Sequence, residues 1–219
     1  MSPCLRVIFF LIVTVLLSAG AAVATPQIQD TLLYDGVEYP VNDDLMYEYF
    51  VKFPDRNPKD PQERCSGLWR GYRSVYEVEK GRIFLKDIFI GRRCSDGESV
   101  ISKVVRNGER LAIDWYSGLL IAAYGQPNYD VSSYSIAFLY TFEKYSLFQI
   151  TEGKLDIVKH FDNKGFLQFR QKQFEAYKKT DEYREEVKRK SQNAGQSRAE
   201  IDKDIEDWFL YTLKKLPVQ

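Results

Sequence analysis

A dipeptide ending in glycine, set between runs of strand-like residues, recurs along this chain and limits what it can become. Asp35-Gly36, Lys80-Gly81, Asn107-Gly108 and Glu152-Gly153 each occupy such a position. Two-residue connections of this kind form tight hairpins, because glycine accepts the positive φ that the turn requires and the turn's hand matches strand twist. The longest such unit runs from Leu68-Trp69-Arg70-Gly71-Tyr72 and Ser74 to Val78, through Lys80-Gly81, into Arg82 to Ile90. The spacing of the hairpin glycines is irregular, which argues against a propeller or solenoid of fixed period. The expected fold class is α+β: an antiparallel β-meander of about eight strands with a short N-terminal helix and C-terminal amphipathic helices.

The other strands follow the same logic. Thr31 to Tyr34 and Val37 to Tyr39 flank the first turn, and Val100 to Arg106 and Arg110 to Tyr116 flank Asn107-Gly108. In the last of these, alternation puts Leu111, Ile113 and Trp115 on one face and Arg110, Ala112 and Asp114 on the other. Leu119 to Tyr124, Tyr134 to Phe142, Leu147 to Thr151 and Lys154 to Phe161 read as further strands, with a loop from Gly125 to Asp130. Residues 25–30 read as a loose terminus. Asp44 to Phe53 has helical spacing behind a cap at Asn42 or Asp43. Three prolines between Pro54 and Arg64 exclude regular structure there.

Beyond Asn163 the texture changes. Phe166 to Lys190 is charged, with an aromatic stripe of Phe166, Phe169, Phe174, Tyr177 and Tyr183, and reads as helix interrupted near Thr180-Asp181. Ser197-Arg198-Ala199-Glu200 matches a capping box, and Ile201, Ile205, Trp208, Phe209 and Leu213 continue it at helical spacing. Helices therefore fill 166–216.

The first 24 residues carry an address and not a fold. A short leader with one basic residue, an apolar run from Val7 to Leu17 and small residues ending Ala22-Val23-Ala24 form a secretory signal peptide cut after Ala24. The alternative is an uncleaved anchor, because Leu5 to Ala24 is long enough to span a bilayer marginally. The protein is thus expected to be exported, periplasmic or secreted, with residues 25–219 forming one β-rich domain that does not span the membrane. The 31 basic and 31 acidic residues balance, which argues against nucleic-acid partners. After the leader, two cysteines remain, Cys65 and Cys94, at the open end of the long hairpin. In an oxidising compartment they are expected to form a disulfide worth about 3–4 kcal/mol, the alternative being two separate thiols.

Three runs together carry a resemblance: Leu68-Trp69-Arg70-Gly71-Tyr72 with Tyr76-Glu77-Val78, Asp114-Trp115-Tyr116-Ser117-Gly118-Leu119, and the Phe-, Gln- and Tyr-rich segment Gly165 to Tyr177. From Leu33 to Tyr183 the chain resembles an uncharacterised family of small bacterial proteins with L-W-R-G-Y and D-W-[FY]-S-G strand motifs. The resemblance implies a bacterial origin and one continuous domain, and no activity.

Chemistry-bearing motifs are sparse. There is no phosphate-binding glycine loop, nucleophile elbow or metalloprotease helix. The single histidine, His160, reads as a surface or boundary residue, and no catalytic residue, metal site or cofactor is assigned. Asp114 beside Trp115 could act as a general acid in glycan cleavage with Asp87 or Glu77 as second carboxylate, or simply pair with Arg70 or Arg110. Arg70 could clamp an anionic group between Trp69 and Tyr72, or pair with a carboxylate while Trp69 or Tyr72 fills the core. The candidate binding residues are therefore Trp69, Arg70, Tyr72, Asp114 and Trp115. The expected function is that of an exported, non-catalytic binding protein whose partner is a protein or a cell-envelope component. The alternatives are an envelope-polymer hydrolase using Asp114 and a purely structural envelope protein.

Overall fold

The computed structural model describes residues 27–41, 43–58, 66–90, 97–106, 108–128, 141–192 and 195–218. The leader, Cys65 and Cys94 with their expected disulfide, and most of the expected strand Tyr134 to Phe142 lie outside them.

Among the described residues nine strands form one sheet: β1 (Asp30–Tyr34), β2 (Val37–Val41), β3 (Arg73–Glu79), β4 (Arg82–Ile90), β5 (Glu98–Ser99), β6 (Leu111–Ala112), β7 (Gly118–Asn128), β8 (Thr141–Thr151) and β9 (Lys154–Asp162). The helices are α1 (Tyr47–Lys52), α2 (Ile101–Val104), α3 (Asn163–Tyr177), α4 (Asp181–Ser191) and α5 (Arg198–Thr212). The α+β class with C-terminal helices holds. The antiparallel meander does not: strand order is β2-β1-β3-β4-β9-β8-β7, and β1 runs parallel to β3. That parallel pair arises because α1 and a long connection separate β2 from β3, so the chain can return on the far side of β1.

Three of the four glycine dipeptides make the expected hairpins, with positive φ at Asp35-Gly36, Lys80-Gly81 and Glu152-Gly153. At the fourth position Gly108 connects α2 to β6, not two long strands. The expected strand Val100 to Arg106 is mostly the short helix α2, whose buried Val104 reaches the core. Only Leu111–Ala112 of the expected strand Arg110 to Tyr116 pairs, against β4. Its alternation still holds, since Leu111, Ile113 and Trp115 all join the main core. The expected loop at Gly125 is instead an irregularity within β7, which continues to Asn128. The N-terminal helix is shorter than expected, beginning at Tyr47, with no side-chain cap.

The ends of the sheet curl toward each other: Tyr39 of β2 meets Tyr124 of β7 edge-on, with ring centroids 5.7 Å apart. This encloses the main core, where Leu32, Tyr76, Ile83, Ile88, Leu120 and Phe148 are fully buried. Alternation along β7 and β8 serves two cores at once. Leu120, Ala122, Phe148 and Ile150 face the interior of the curl, while Leu119, Ile121, Tyr145 and Leu147 face the C-terminal helices. Those helices contribute Phe166, Phe174, Tyr177, Ile205 and Phe209 to the second core. The expected interruption separates α3 from α4, with Thr180 accepting a bond from the Tyr183 amide as N-cap. The capping box at Ser197 and Glu200 is formed in full.

Candidate functional site

The run Leu68 to Tyr72 is a turn preceding β3, not a strand. The Gly71 amide bonds the Leu68 carbonyl at 2.9 Å, and Gly71 takes φ +83°, which a side chain would resist. The turn sorts its residues sharply. Leu68 and Tyr72 are buried, whereas Trp69 is 70 % exposed. Of the two candidates for the core, Tyr72 fills it and Trp69 does not.

Arg70 lies beneath the turn and binds Asp30 through both terminal nitrogens, at 2.8 and 3.2 Å. Asp30 was expected in a loose terminus. It is instead the first residue of β1, completely buried, and also accepts the Ser74 amide at 2.8 Å. The fork matches the two carboxylate oxygens, so the pair is directional as well as charged. The guanidinium also lies 3.9 Å from Asp44, whose carboxylate accepts the Tyr72 hydroxyl at 2.8 Å. Next to it in sequence, Asp43 accepts the Tyr116 hydroxyl at 2.6 Å, and the Trp115 indole donates to the Leu45 carbonyl at 2.7 Å. The L-W-R-G-Y and D-W-Y-S-G runs therefore grip the same short segment, Asp43 to Leu45, from two parts of the chain.

Three carboxyl groups thus converge near one guanidinium. Burial pushes the Asp30 carboxyl up to about 7, although Arg70 and the Ser74 amide oppose the shift. Burial likewise raises Asp43. It works to lower Arg70, but Asp30 and Asp44 outweigh it, so the guanidinium is held more firmly protonated than usual. The two partners of the ion pair differ because Asp30 is wholly enclosed while 16 % of the Arg70 side chain still meets solvent. The hydroxyls of Tyr72 and Tyr116 are driven up by burial and then by the carboxylates that they bond. These groups serve as donors, and the network spends its hydrogen-bonding capacity internally.

Asp114 stands apart from this network. It pairs with Arg82 at 2.6 Å, not with Arg70 or Arg110 as expected, and its side chain is 53 % exposed. Arg82 is the nearer partner because β6 ends at Ala112 and the chain turns beside the start of β4. The expected second carboxylates are engaged elsewhere: Asp87 accepts from Ser99 at 2.6 Å, and Glu77 meets Lys86 and Arg110. A groove of about 540 Å³ between β3, β4 and α2 is lined by Glu77, Glu79, Lys86, Ser102 and Arg110. Arg110 bonds Glu79 and lies 4.2 Å from the centroid of Phe84, so the groove's charges are largely paired.

His160 is exposed, as expected, but bonded: its Nδ1 lies 2.8 Å from Ser146 Oγ, which meets the Tyr124 hydroxyl at 3.0 Å. Ser146 is completely buried, so this is a polar bridge across β7, β8 and β9 and not an accessible nucleophile.

What sequence reasoning missed is the set Asp30, Asp43, Asp44, Tyr116 and Tyr76, whose hydroxyl donates to Asp30 at 3.4 Å. One signal was available: Asp30 shares the alternation phase of buried Leu32, and a carboxylate on the inward face of a strand requires a partner. Comparisons with family models, curated proteins and solved structures find no match.

Proposed function

We propose that this is an exported, non-catalytic interaction protein that presents the Trp69 turn to a protein or cell-envelope component, in the periplasm or outside the cell. The observation that carries this reading is a large aromatic side chain, 70 % exposed, on a turn whose neighbours are fixed. Leu68 and Tyr72 are buried on either side, Arg70 is ion-paired below, and the Trp69 amide bonds Gln27 Oε1 at 3.2 Å. Exposed tryptophan on a rigid support suits recognition, because it offers large contact area with little entropy left to lose. Trp69 is thus the contact residue, and Arg70 and Tyr72 hold it in place. Trp115 supports the same unit through Leu45, whereas Asp114 is left outside it. Hydrolysis through Asp114 and a second carboxylate draws no support from these contacts.

The test is photocrosslinking in cells, with a photoreactive side chain replacing Trp69 and, as a control, Leu167 on α3. A discrete adduct is expected from position 69, weakened by Arg70→Ala. Equal labelling from both positions would sink the assignment.

A further inference from the structure

The two oxygens of Asp30 are held unequally. Oδ1 accepts Arg70 Nη2 and the Ser74 amide, each at 2.8 Å. The contacts of Oδ2 are longer: Arg70 Nη1 at 3.2 Å and the Tyr76 hydroxyl at 3.4 Å. The same Nη1 lies 3.9 Å from Asp44 Oδ1. One guanidinium nitrogen thus faces carboxylates from two parts of the chain, and a small rotation takes it from one to the other. Arg70 is the neighbour of Trp69 in the turn, so its choice of partner bears on how that turn is held.

The balance of charge makes the choice conditional. The groups facing Asp30 are Arg70 and Tyr72 from the turn, Tyr76 from β3, and Asp44, with Asp43 beside it, from the segment before α1. Strand β2 sets the apolar Val41 opposite it. Three carboxyl groups therefore share one guanidinium. Carboxyls crowded about a single cation do not all stay ionised, and the one cut off from water gives way first. That one is Asp30, which is fully enclosed, whereas 24 % of the Asp44 side chain meets solvent. Oδ2, the less firmly held oxygen, takes the proton. It then presents a hydrogen to Nη1, itself a donor, and that arm of the fork is lost. Ser74 Oγ, on the residue whose amide already bonds Asp30, is a buried oxygen without a hydrogen-bond partner among the described residues, and offers the new donor an acceptor.

Resting on the reading of Trp69 as the contact residue, we propose that Asp30 and Asp44 form a proton-operated catch on the Trp69 turn. With Asp30 ionised, Arg70 forks onto β1 and the turn is held for contact. When Asp30 takes a proton from solvent, Nη1 passes to Asp44, the turn keeps one arm of the fork on β1, and contact through Trp69 weakens. The fold as a whole gains from the same event, because an enclosed charge disappears, while the turn alone loses hold. Burial brings the Asp30 carboxyl up to about 7, so the catch works around neutral pH.

The test is hydrogen exchange at the Gly71 amide, which closes the turn onto the Leu68 carbonyl, in the unaltered protein and in Asp30→Asn, a neutral isostere. The variant is expected to exchange at least about threefold faster near pH 8 and at the same rate near pH 5, where both side chains are neutral. Equal rates at both values, or a difference that persists near pH 5, overturn the proposal. A second measurement needs no variant: the carbon-13 shift of the Asp30 carboxyl is followed through the same range. The Trp69 and Gly71 amide resonances are expected to move with its midpoint, and amides that ignore it overturn the proposal. In Asp44→Asn that movement is expected to shrink at least about twofold, because the second acceptor has lost its charge; undiminished movement removes the handover. Photocrosslinking from position 69 in cells held near pH 5.5 and near pH 7.5 separates the catch from the contact. Adduct yield is expected to fall at least about threefold at the lower value. Equal yields leave Trp69 as the contact and remove the catch, and no adduct at either value removes both.

Discussion

Arg70 supports the turn by neutralising Asp30, a carboxylate with no access to water. Removing one partner of a buried pair leaves the other charge uncompensated, so Arg70→Ala is expected to cost about 3–5 kcal/mol. Urea unfolding measures it, and a loss under about 1 kcal/mol would mean that water replaces the guanidinium at little cost. The same network sets a pH dependence. Asp30 takes up its proton near pH 7 in the folded protein, against 3.8 for the ordinary group, and Asp43 is shifted in the same direction. Between those values the folded state binds more protons than the unfolded chain, so stability rises as pH falls. The gain is complete below about pH 4 and is lost as pH climbs through about 7. Melting temperatures across this window should be higher on the acidic side, with a shallower slope in Asp30→Asn. Identical slopes in the two proteins would remove Asp30 as the source.

At the scale of elements, hairpin turns of one chemical type do different jobs. Gly36 and Gly153 have φ of +74° and +72°, yet a Cβ on Gly36 would meet nothing within 4 Å. A Cβ on Gly153 would lie 2.7 Å from the Ile113 carbonyl oxygen and 3.0 Å from the Asp114 Cα, both backbone atoms. Gly153 also accepts from the Ile83 amide and donates to the Tyr116 carbonyl, each at 2.9 Å, while the Leu155 amide reaches Gly81 at 2.9 Å. Its hairpin thereby joins β4, β9 and the Asp114 to Ser117 turn. Gly36→Ala is accordingly expected to cost about 1–2 kcal/mol, the strain of a left-handed residue, and Gly153→Ala at least about twice that. Chemical denaturation of the two variants tests the ranking; equal losses would show that the packed turn relaxes freely. Sequence pattern identified both turns but not this difference, because the atoms that crowd Gly153 come from a distant part of the chain.

Across the whole molecule, β7 and β8 are the shared wall between two cores. The C-terminal helices contain many charged residues, and their hold on the sheet depends on a few aromatic side chains. Phe209 is almost entirely buried, 5.2 Å from Phe174 and 5.7 Å from Tyr177 between ring centroids. Phe209→Ala is expected to destabilise by about 3–5 kcal/mol through lost burial and the cavity left behind. If the helical layer and the curled sheet unfold as one unit, far-UV and near-UV signals will shift together in urea; a shift confined to the far-UV signal would show that the helices detach alone. Among the described residues no helix is long and apolar enough to cross a membrane.

The sequence by itself determined the local geometry. Glycine dipeptides specified three hairpins, alternation assigned faces at Leu111, Ile113 and Trp115, and Ser197 with Glu200 placed the start of the last helix. Each depends on residues a few positions apart, where backbone sterics and side-chain capping act alone. Only the tertiary structure decided that β1 lies parallel to β3, that Arg70 meets Asp30 across 40 residues, and that Asp43 to Leu45 joins the two motifs. It also decided that Trp69 faces out while Tyr72 faces in. Those outcomes depend on which distant groups can desolvate together, and a carboxylate finds its guanidinium only after the intervening chain has folded around both.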